Sequence, residues 1–198
     1  MGSIAQELKD QIAGEVHFDA YTRALYSTDA SIYRVPPLGV VVPRRAADLA
    51  AVVALAARER IPLLPRGAGT SLAGQTIGRA LILDCSRYLN HVLEINAEEG
   101  WVRVQPGVVL DQLNETLRPH GLMFGPDVAT SSRACLGGMI GNNSSGARSI
   151  IYGKTADHLL ALKVLLADGS EAEFGPNAVP RQSGLESELY REIPRIIA

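Results

Sequence analysis

Residues 65–75 read Pro65-Arg66-Gly67-Ala68-Gly69-Thr70-Ser71-Leu72-Ala73-Gly74-Gln75. From Arg66 to Gly74 stand three glycines and two hydroxyl residues, which make a poor helix and a poor core. The same residues suit an anion cradle. Without a Cβ, glycine lets neighbouring backbone N–H groups turn toward one point; Thr70 and Ser71 add hydroxyl donors, and Arg66 adds a fixed positive charge. A tight surface turn is the competing interpretation of any lone glycine-rich loop. Two common phosphate loops are excluded by residue type. No Gly-Lys-Ser/Thr ending supplies the lysine of a nucleoside triphosphatase. In the G-x-G-x-x-G pattern begun by Gly67 and Gly69, Leu72 stands where the third glycine belongs.

A second stretch of the same kind runs Gly137-Gly138-Met139-Ile140-Gly141-Asn142-Asn143-Ser144-Ser145-Gly146-Ala147, with Gly125-Pro126-Asp127 and Thr130-Ser131-Ser132 leading into it. Four glycines, two asparagines and two serines in eleven residues lose much conformational entropy on ordering, so they read as a loop rather than a core element. Two such loops suggest one elongated, phosphate-bearing ligand held between two lobes. Two unrelated flexible loops are the alternative.

The elements that must position these loops follow from periodicity. Ile4, Leu8 and Ile12 share one face of a helix over Ser3–Ala13, and Asp19–Tyr26 reads as a second short helix. Residues 27–37 look irregular. Val40–Val42 is a short buried strand, followed by a helix over Arg45–Arg60 with Ala46, Leu49, Val52, Val53 and Ala56 on one stripe. Leu63-Leu64 and Ala80–Asp84 are the next strands. Strand, helix, strand predicts a βαβ unit and a lobe with parallel pairing over residues 38–85, its glycine-rich loop leaving the carboxyl end of a strand, where open α/β sheets hold ligands. From His91 the pattern becomes antiparallel. His91–Ile95 and Trp101–Val104 form a hairpin, Val109–Pro119 a helix, and Leu159–Leu166 turns at Asp168-Gly169 into Glu171–Phe174. Gly184–Ile197 is helical, with Pro194 expected to interrupt it.

Composition narrows the function classes. Of 198 residues 46% are hydrophobic and 20% charged, with a net charge of −2, which argues against a nucleic-acid footprint. Cys85 and Cys135 make neither a disulfide framework nor a metal-binding C-x-x-C, so a reducing, cytoplasmic setting is the default. Cys135 reads as a small buried packing residue rather than a redox thiol. The charged N-terminus is not a signal peptide, and the longest apolar run, Leu49–Ala57, is too short to span a bilayer. His17, His91, His120 and His158 are scattered, without ligand spacing, and no metal site is expected. His120 before Gly121 suits a helix C-terminus, and His158 falls at a strand start.

Taken as an ordered series, Pro65–Gln75, Val104-Gln105-Pro106-Gly107, Gly125-Pro126-Asp127, Gly137–Ser149, Tyr152-Gly153-Lys154-Thr155 and Ala167-Asp168-Gly169 strongly resemble the FAD-linked oxidase family. This is the flavin-binding domain of the vanillyl-alcohol oxidase and p-cresol methylhydroxylase type. The resemblance covers residues 25–175 and is strongest to the glycolate oxidase and D-lactate dehydrogenase branch. Leu25-Tyr26-Ser27-Thr28-Asp29-Ala30-Ser31 is similar to large fusion proteins that append an iron–sulfur domain.

The resemblance implies an α+β PCMH-type FAD-binding domain. Residues 1–37 would form an N-terminal helical extension, 38–88 a small α/β lobe, and 89–198 a larger lobe built on an antiparallel sheet with helices. FAD would bind noncovalently between the lobes, since Thr70 stands where relatives with covalent flavin often carry histidine. Arg66, Gly67, Ala68, Gly69, Thr70 and Ser71 would wrap the pyrophosphate with backbone amides. Pro126, Thr130 and Ser131 would lie along the flavin and ribityl side; Gly137, Gly138, Asn142, Ser145 and Gly146 would supply the remaining contacts. The sequence departs from the family's Gly-Gly-Gly at Gly67-Ala68-Gly69 and from its Thr-Ile-Gly-Gly at Cys135-Leu136-Gly137-Gly138. Relatives continue into a further flavin-site segment and a substrate domain bearing histidines and acids. The chain is therefore expected to be an N-terminal piece of a longer enzyme or one subunit of a split one, with any iron–sulfur cluster in a missing C-terminal region.

The implied activity is oxidation of a small D-2-hydroxy acid by hydride transfer to flavin, with electrons passed to an acceptor and no catalytic base assignable in this chain. A C-terminal substrate domain or partner subunit is expected, with no nucleic acid and no integral membrane segment. A non-catalytic FAD-binding module or accessory subunit is the alternative. A cell-wall reductase of the same superfamily fits the wording of Gly137–Thr155 less well.

Overall fold

The computed structural model describes residues 2–197. Near the amino terminus lie α1 (Gly2–Gln11), β1 (Glu15–His17) and α2 (Ala20–Leu25); the Asp19 carboxylate caps α2 by accepting from the Thr22 N–H. Next come β2 (Gly39–Val42), α3 (Ala46–Glu59), β3 (Leu63–Arg66) and β4 (Leu81–Asp84). The four strands form one sheet in the order β1-β2-β4-β3. Parallel pairing joins β4 to both β2 and β3, with Ile82 opposite Val40 on one side and Leu64 on the other. The crossover through α3 therefore skips one position, which β4 later fills. β1, three residues long and too short to show alternation, pairs antiparallel with β2, so the segment read as a helical extension also carries a strand of the sheet.

Pro65 lies inside β3 rather than at its end, which an edge strand tolerates because its outer side needs no ladder donor. Side-chain alternation divides the core. Val41, Leu81 and Leu83 face Leu8 of α1, Ile12 just after it, and Val52 and Leu55 of α3. Val40, Val42 and Ile82 pack on the other side with Tyr26, Leu64 and Tyr88. On α3 the buried set includes Leu55, and Ala46 is exposed, so the apolar stripe is rotated from the expected one. Buried Asp48 ties the segments before this helix: its carboxylate accepts from the Ala13 and Arg44 amides at 3.1 and 2.9 Å.

After β4 the chain forms β5 (Val92–Asn96), β6 (Trp101–Val104), α4 (Leu110–Leu117), α5 (Leu136–Gly141), α6 (Ser149–Tyr152), β7 (Leu162–Leu165), β8 (Glu171–Phe174) and α7 (Leu185–Ile197). Antiparallel pairing in this part occurs as two separate hairpins, β5-β6 and β7-β8. Leu110, Leu113 and Leu117 of α4 form a core with Val108, Ala134, Leu136 and Met139. Three local expectations change. Residues 136–141 are helical rather than loop, because Leu136 and Met139 anchor one face in that core despite the glycines between them. His158 ends a 3-10 turn over Thr155–His158, and the strand begins only at Leu162. Pro194 does not break α7, which runs on to Ile197. Among the described residues, no helix is long and apolar enough to cross a membrane.

Candidate functional site

The first glycine-rich stretch leaves β3 and is held from behind by its own arginine. Arg66 turns away from the loop's amides: Nη1 donates to the Tyr26 and Thr76 carbonyls at 3.3 and 3.2 Å, and Nη2 to the Thr28 carbonyl at 2.9 Å. Its guanidinium carbon stands 5.2 Å from the Tyr26 ring centre. The Tyr26 hydroxyl donates to Asp84, which also accepts from the Ser86 amide and hydroxyl. Burial, then the Asp84 carboxylate, pushes the Tyr26 phenol well above its ordinary range, so it stays a donor. Gly69 needs its missing Cβ. It has φ +69°, and a Cβ there would lie 2.5 Å from Arg66 Nη2.

Residues 26–31 form a strap over this loop. The Ala30 amide donates to the Gly69 carbonyl at 3.1 Å, and the Thr76 hydroxyl donates to Asp29 at 3.0 Å. Burial alone would raise the Asp29 carboxyl, but bonds from Ser31 and Thr76 outweigh it and hold the group below the usual carboxylate range. Among the described residues, the amides of Gly69, Thr70 and Ser71 meet no acceptor within the protein.

The opposing wall is clipped to the segment before α4. The Leu136 amide donates to Val108 and the Gly137 amide to Pro106, both at 2.8 Å, while Leu110 donates to Ala134 at 3.0 Å. A Cβ on Gly137 would fall 2.7 Å from Pro106 Cβ. Beyond α5, the Ser144 carbonyl accepts from the Thr155 amide and hydroxyl, and Asn143, at φ 44°, accepts from the Ala156 amide at 2.9 Å. Gly146 lies against Asp127, whose carboxylate accepts from Arg148 Nε at 2.6 Å. The two walls meet where Gly67 touches Cys135: a Cβ on Gly67 would stand 3.0 Å from Cys135 Cβ.

Between the walls lies a cleft of about 320 Å³. It brings together Gly67, Ala68, Gly69, Thr70, Ser71, Thr130, Gly138 and Asn142 of the expected set. Arg66, Pro126, Ser131, Gly137, Ser145 and Gly146 do not line it. Pro126 is buried, Gly137 and Gly146 serve close packing, and the Ser131 carbonyl accepts from Asp111 at the start of α4. Sequence reasoning passed over Gln75, Thr76, Val128, Met139 and Ser144, which also line the cleft. Ser144 stood inside the second stretch, and Gln75 closed the first. Val128 and Met139 look like ordinary core residues in sequence.

No residue lining the cleft carries a formal charge at neutral pH; Cys135 is its titratable side chain. Burial pushes that thiol up against the opposing pull of the Ala68 amide, and burial with nearby Asp84 pushes Cys85 up to about 12. Both thiols stay protonated, and Cys135 is the buried packing residue its surroundings require. Among the described residues no cluster of His, Cys, Asp and Glu has metal-binding geometry. His158 instead donates Nε2–H to the Tyr152 carbonyl and packs tilted against Phe124, ring centres 5.3 Å apart. The cleft therefore offers free amides, hydroxyls and apolar walls, the donor set for a long ligand with phosphate at one end.

The FAD binding domain family matches residues 37–175, which include both walls. The chain belongs to that family. It is 46% identical over 175 residues to the D-2-hydroxyglutarate dehydrogenase of Escherichia coli (strain K12), covering 86% of this chain and 17% of that protein. It is 33% identical over 182 residues to the glycolate oxidase subunit GlcD of Bacillus subtilis (strain 168), covering 87% of this chain and 38% of that subunit. The chain thus spans well under half the length of these relatives. A solved alkyldihydroxyacetonephosphate synthase shares the fold at TM-score 0.76 and 21% identity, over 95% of this chain and 36% of that one.

Proposed function

We propose that this chain is the FAD-binding part of a flavin-dependent dehydrogenase or oxidase that acts on a small D-2-hydroxy acid. One observation carries the cofactor reading: two glycine-rich stretches about 70 residues apart in sequence converge on one cleft whose walls supply unpaired amides and hydroxyls. The D-2-hydroxyglutarate dehydrogenase and glycolate oxidase names of its relatives support the substrate class. When bound, FAD supplies a two-electron hydride acceptor for the hydroxyl-bearing carbon.

The residues of this chain bind and orient. Gly69, Thr70 and Ser71 amides and the Thr70 and Ser71 hydroxyls take the diphosphate; Thr130, Asn142 and Ser144 offer side-chain polar groups on the facing wall. Thr70 cannot form a histidyl linkage, so the flavin is held noncovalently. The cleft has no group fit to take the hydroxyl proton, since Cys135 stays protonated and no acid, histidine or lysine lines it. The base, the substrate pocket and the contact with an electron acceptor, an iron–sulfur centre included, are assigned to a C-terminal region or partner subunit.

An absorbance spectrum of the purified chain, mixed with FAD and desalted, tests the cofactor reading. Flavin bands that stay with the protein and pass into the supernatant on heat denaturation are expected. A chain that stays colourless after repeated loading at micromolar FAD, together with a protein extended beyond Ala198 that stays colourless as well, would end the reading. For activity, D-2-hydroxyglutarate added anaerobically to the full enzyme should bleach the flavin, whereas the isolated chain should bind flavin and stay oxidised.

A further inference from the structure

Arg66 lies beside the expected phosphate site, yet its donors point the other way. Nη1 spans two carbonyls and Nη2 takes a third, from Tyr26, Thr76 and Thr28. The Tyr26 ring covers one side of the group, and the Gly69 backbone lies directly against it. The same strap is tied to the loop twice more, through Ala30 N–H to the Gly69 carbonyl and through the Thr76 hydroxyl to Asp29. Ala30 and Gly69 are 39 positions apart, so these bonds close a loop that local sequence does not hold.

We propose that Arg66 is a positioning residue, a three-carbonyl clamp that holds the 26–31 strap against the phosphate loop and thereby keeps the Gly69–Ser71 amides aimed into the cleft. The ligand part of this inference rests on the FAD reading above; the clamp itself does not. A planar guanidinium presents donors in several fixed directions, which an ammonium on a flexible stem cannot reproduce. Shape, rather than charge, is what the clamp requires.

The test compares Arg66→Lys with Arg66→Gln in the purified chain, with FAD as the probe and amide hydrogen exchange measured without FAD. Both variants should weaken FAD by a similar factor, about ten-fold or more, because both lose the fork of charged hydrogen bonds. The Ala30 and Val35 amides, which donate to the Gly69 and Ser27 carbonyls, should exchange faster in both variants. Arg66→Lys keeping wild-type affinity while Arg66→Gln loses it would make Arg66 a charge contact and overturn the proposal. Unchanged exchange at Ala30 and Val35 would overturn it as well. If the Arg66 variants do not fold, Asp29→Ala removes the second tie and leaves Arg66 in place. Faster Ala30 exchange with weaker FAD binding supports the clamp, and faster exchange with unchanged FAD binding refutes it. Absence of FAD uptake by the wild-type chain and by a protein extended beyond Ala198 defeats the cofactor reading, while the exchange data still decide whether the clamp exists.

Discussion

Gly69 and Gly74 of the first glycine-rich stretch carry positive φ, whereas Gly137, Gly138, Gly141 and Gly146 of the second do not. In the first stretch glycine lets the chain reverse its curvature, and the shape is then held by the stretch's own Arg66 and, from outside, by Asp29 and the strap. In the second, glycine lets backbones approach, Gly137 against Pro106 and Gly146 against Asp127. The left-handed residue there is Asn143, whose side chain secures it through the Ala156 amide. The lesson is that one composition serves two physical purposes. A loop with no partners of its own needs conformational freedom and a clamp. A stretch that has become a helix end needs clearance.

If that distinction holds, substitutions should separate the stretches. Gly146→Ala should be most damaging, since its Cβ would fall 2.4 Å from the Asp127 carbonyl oxygen, a backbone atom that cannot move alone. A loss of about 3 kcal/mol is expected in denaturant unfolding, with Gly137→Ala close behind. Gly69→Ala should cost about 1–3 kcal/mol through its φ and the displaced guanidinium, and should weaken FAD more than its stability loss alone accounts for. Calorimetric titration beside a thermal melt separates the two effects. Equal damage from Gly69→Ala and Gly138→Ala would break the comparison.

Gly138→Ala should do the reverse of Gly146→Ala. Nothing lies within 4 Å of the added Cβ, and the position is helical, so stability should rise by about 0.5 kcal/mol. The methyl enters a cleft-lining position, so FAD affinity should fall while the melting temperature does not.

The clamps should differ least, and only in whether they respond to pH and salt. Asp127 is held below the ordinary carboxylate range, first by its bond from the Arg148 guanidinium. A depressed pKa means its contribution is complete above the unfolded value near 4 and is lost only as pH falls through the lower folded value. The Arg148 amide, which donates to Asp127, should therefore keep its protection from pH 7 to 5 and lose it below about 4. Added salt should loosen this exposed ion pair, yet leave the Ala30 amide unaffected, because Arg66 holds neutral carbonyls. Exchange rates of the two amides in low and high salt make that comparison directly.

Sequence alone determined much here. Apolar periodicity marked α3 and α4, short buried apolar runs marked β2 and β4, and Asp168-Gly169 marked the β7-β8 turn, because these signals are local and repeat within a few residues. The glycine-rich stretches likewise declared themselves by composition, and their order carried the family. Tertiary structure decided what local pattern cannot hold. β1 exists because β2 offers an edge to three residues that would not stay extended alone. α5 exists because Leu136 and Met139 find a core formed by α4. Arg66 reads in sequence as a phosphate charge; only the fold brings the carbonyls of Tyr26, Thr28 and Thr76 within its reach. Hydrogen-bond direction depends on which groups, distant in sequence, arrive first in space, and that is set by packing.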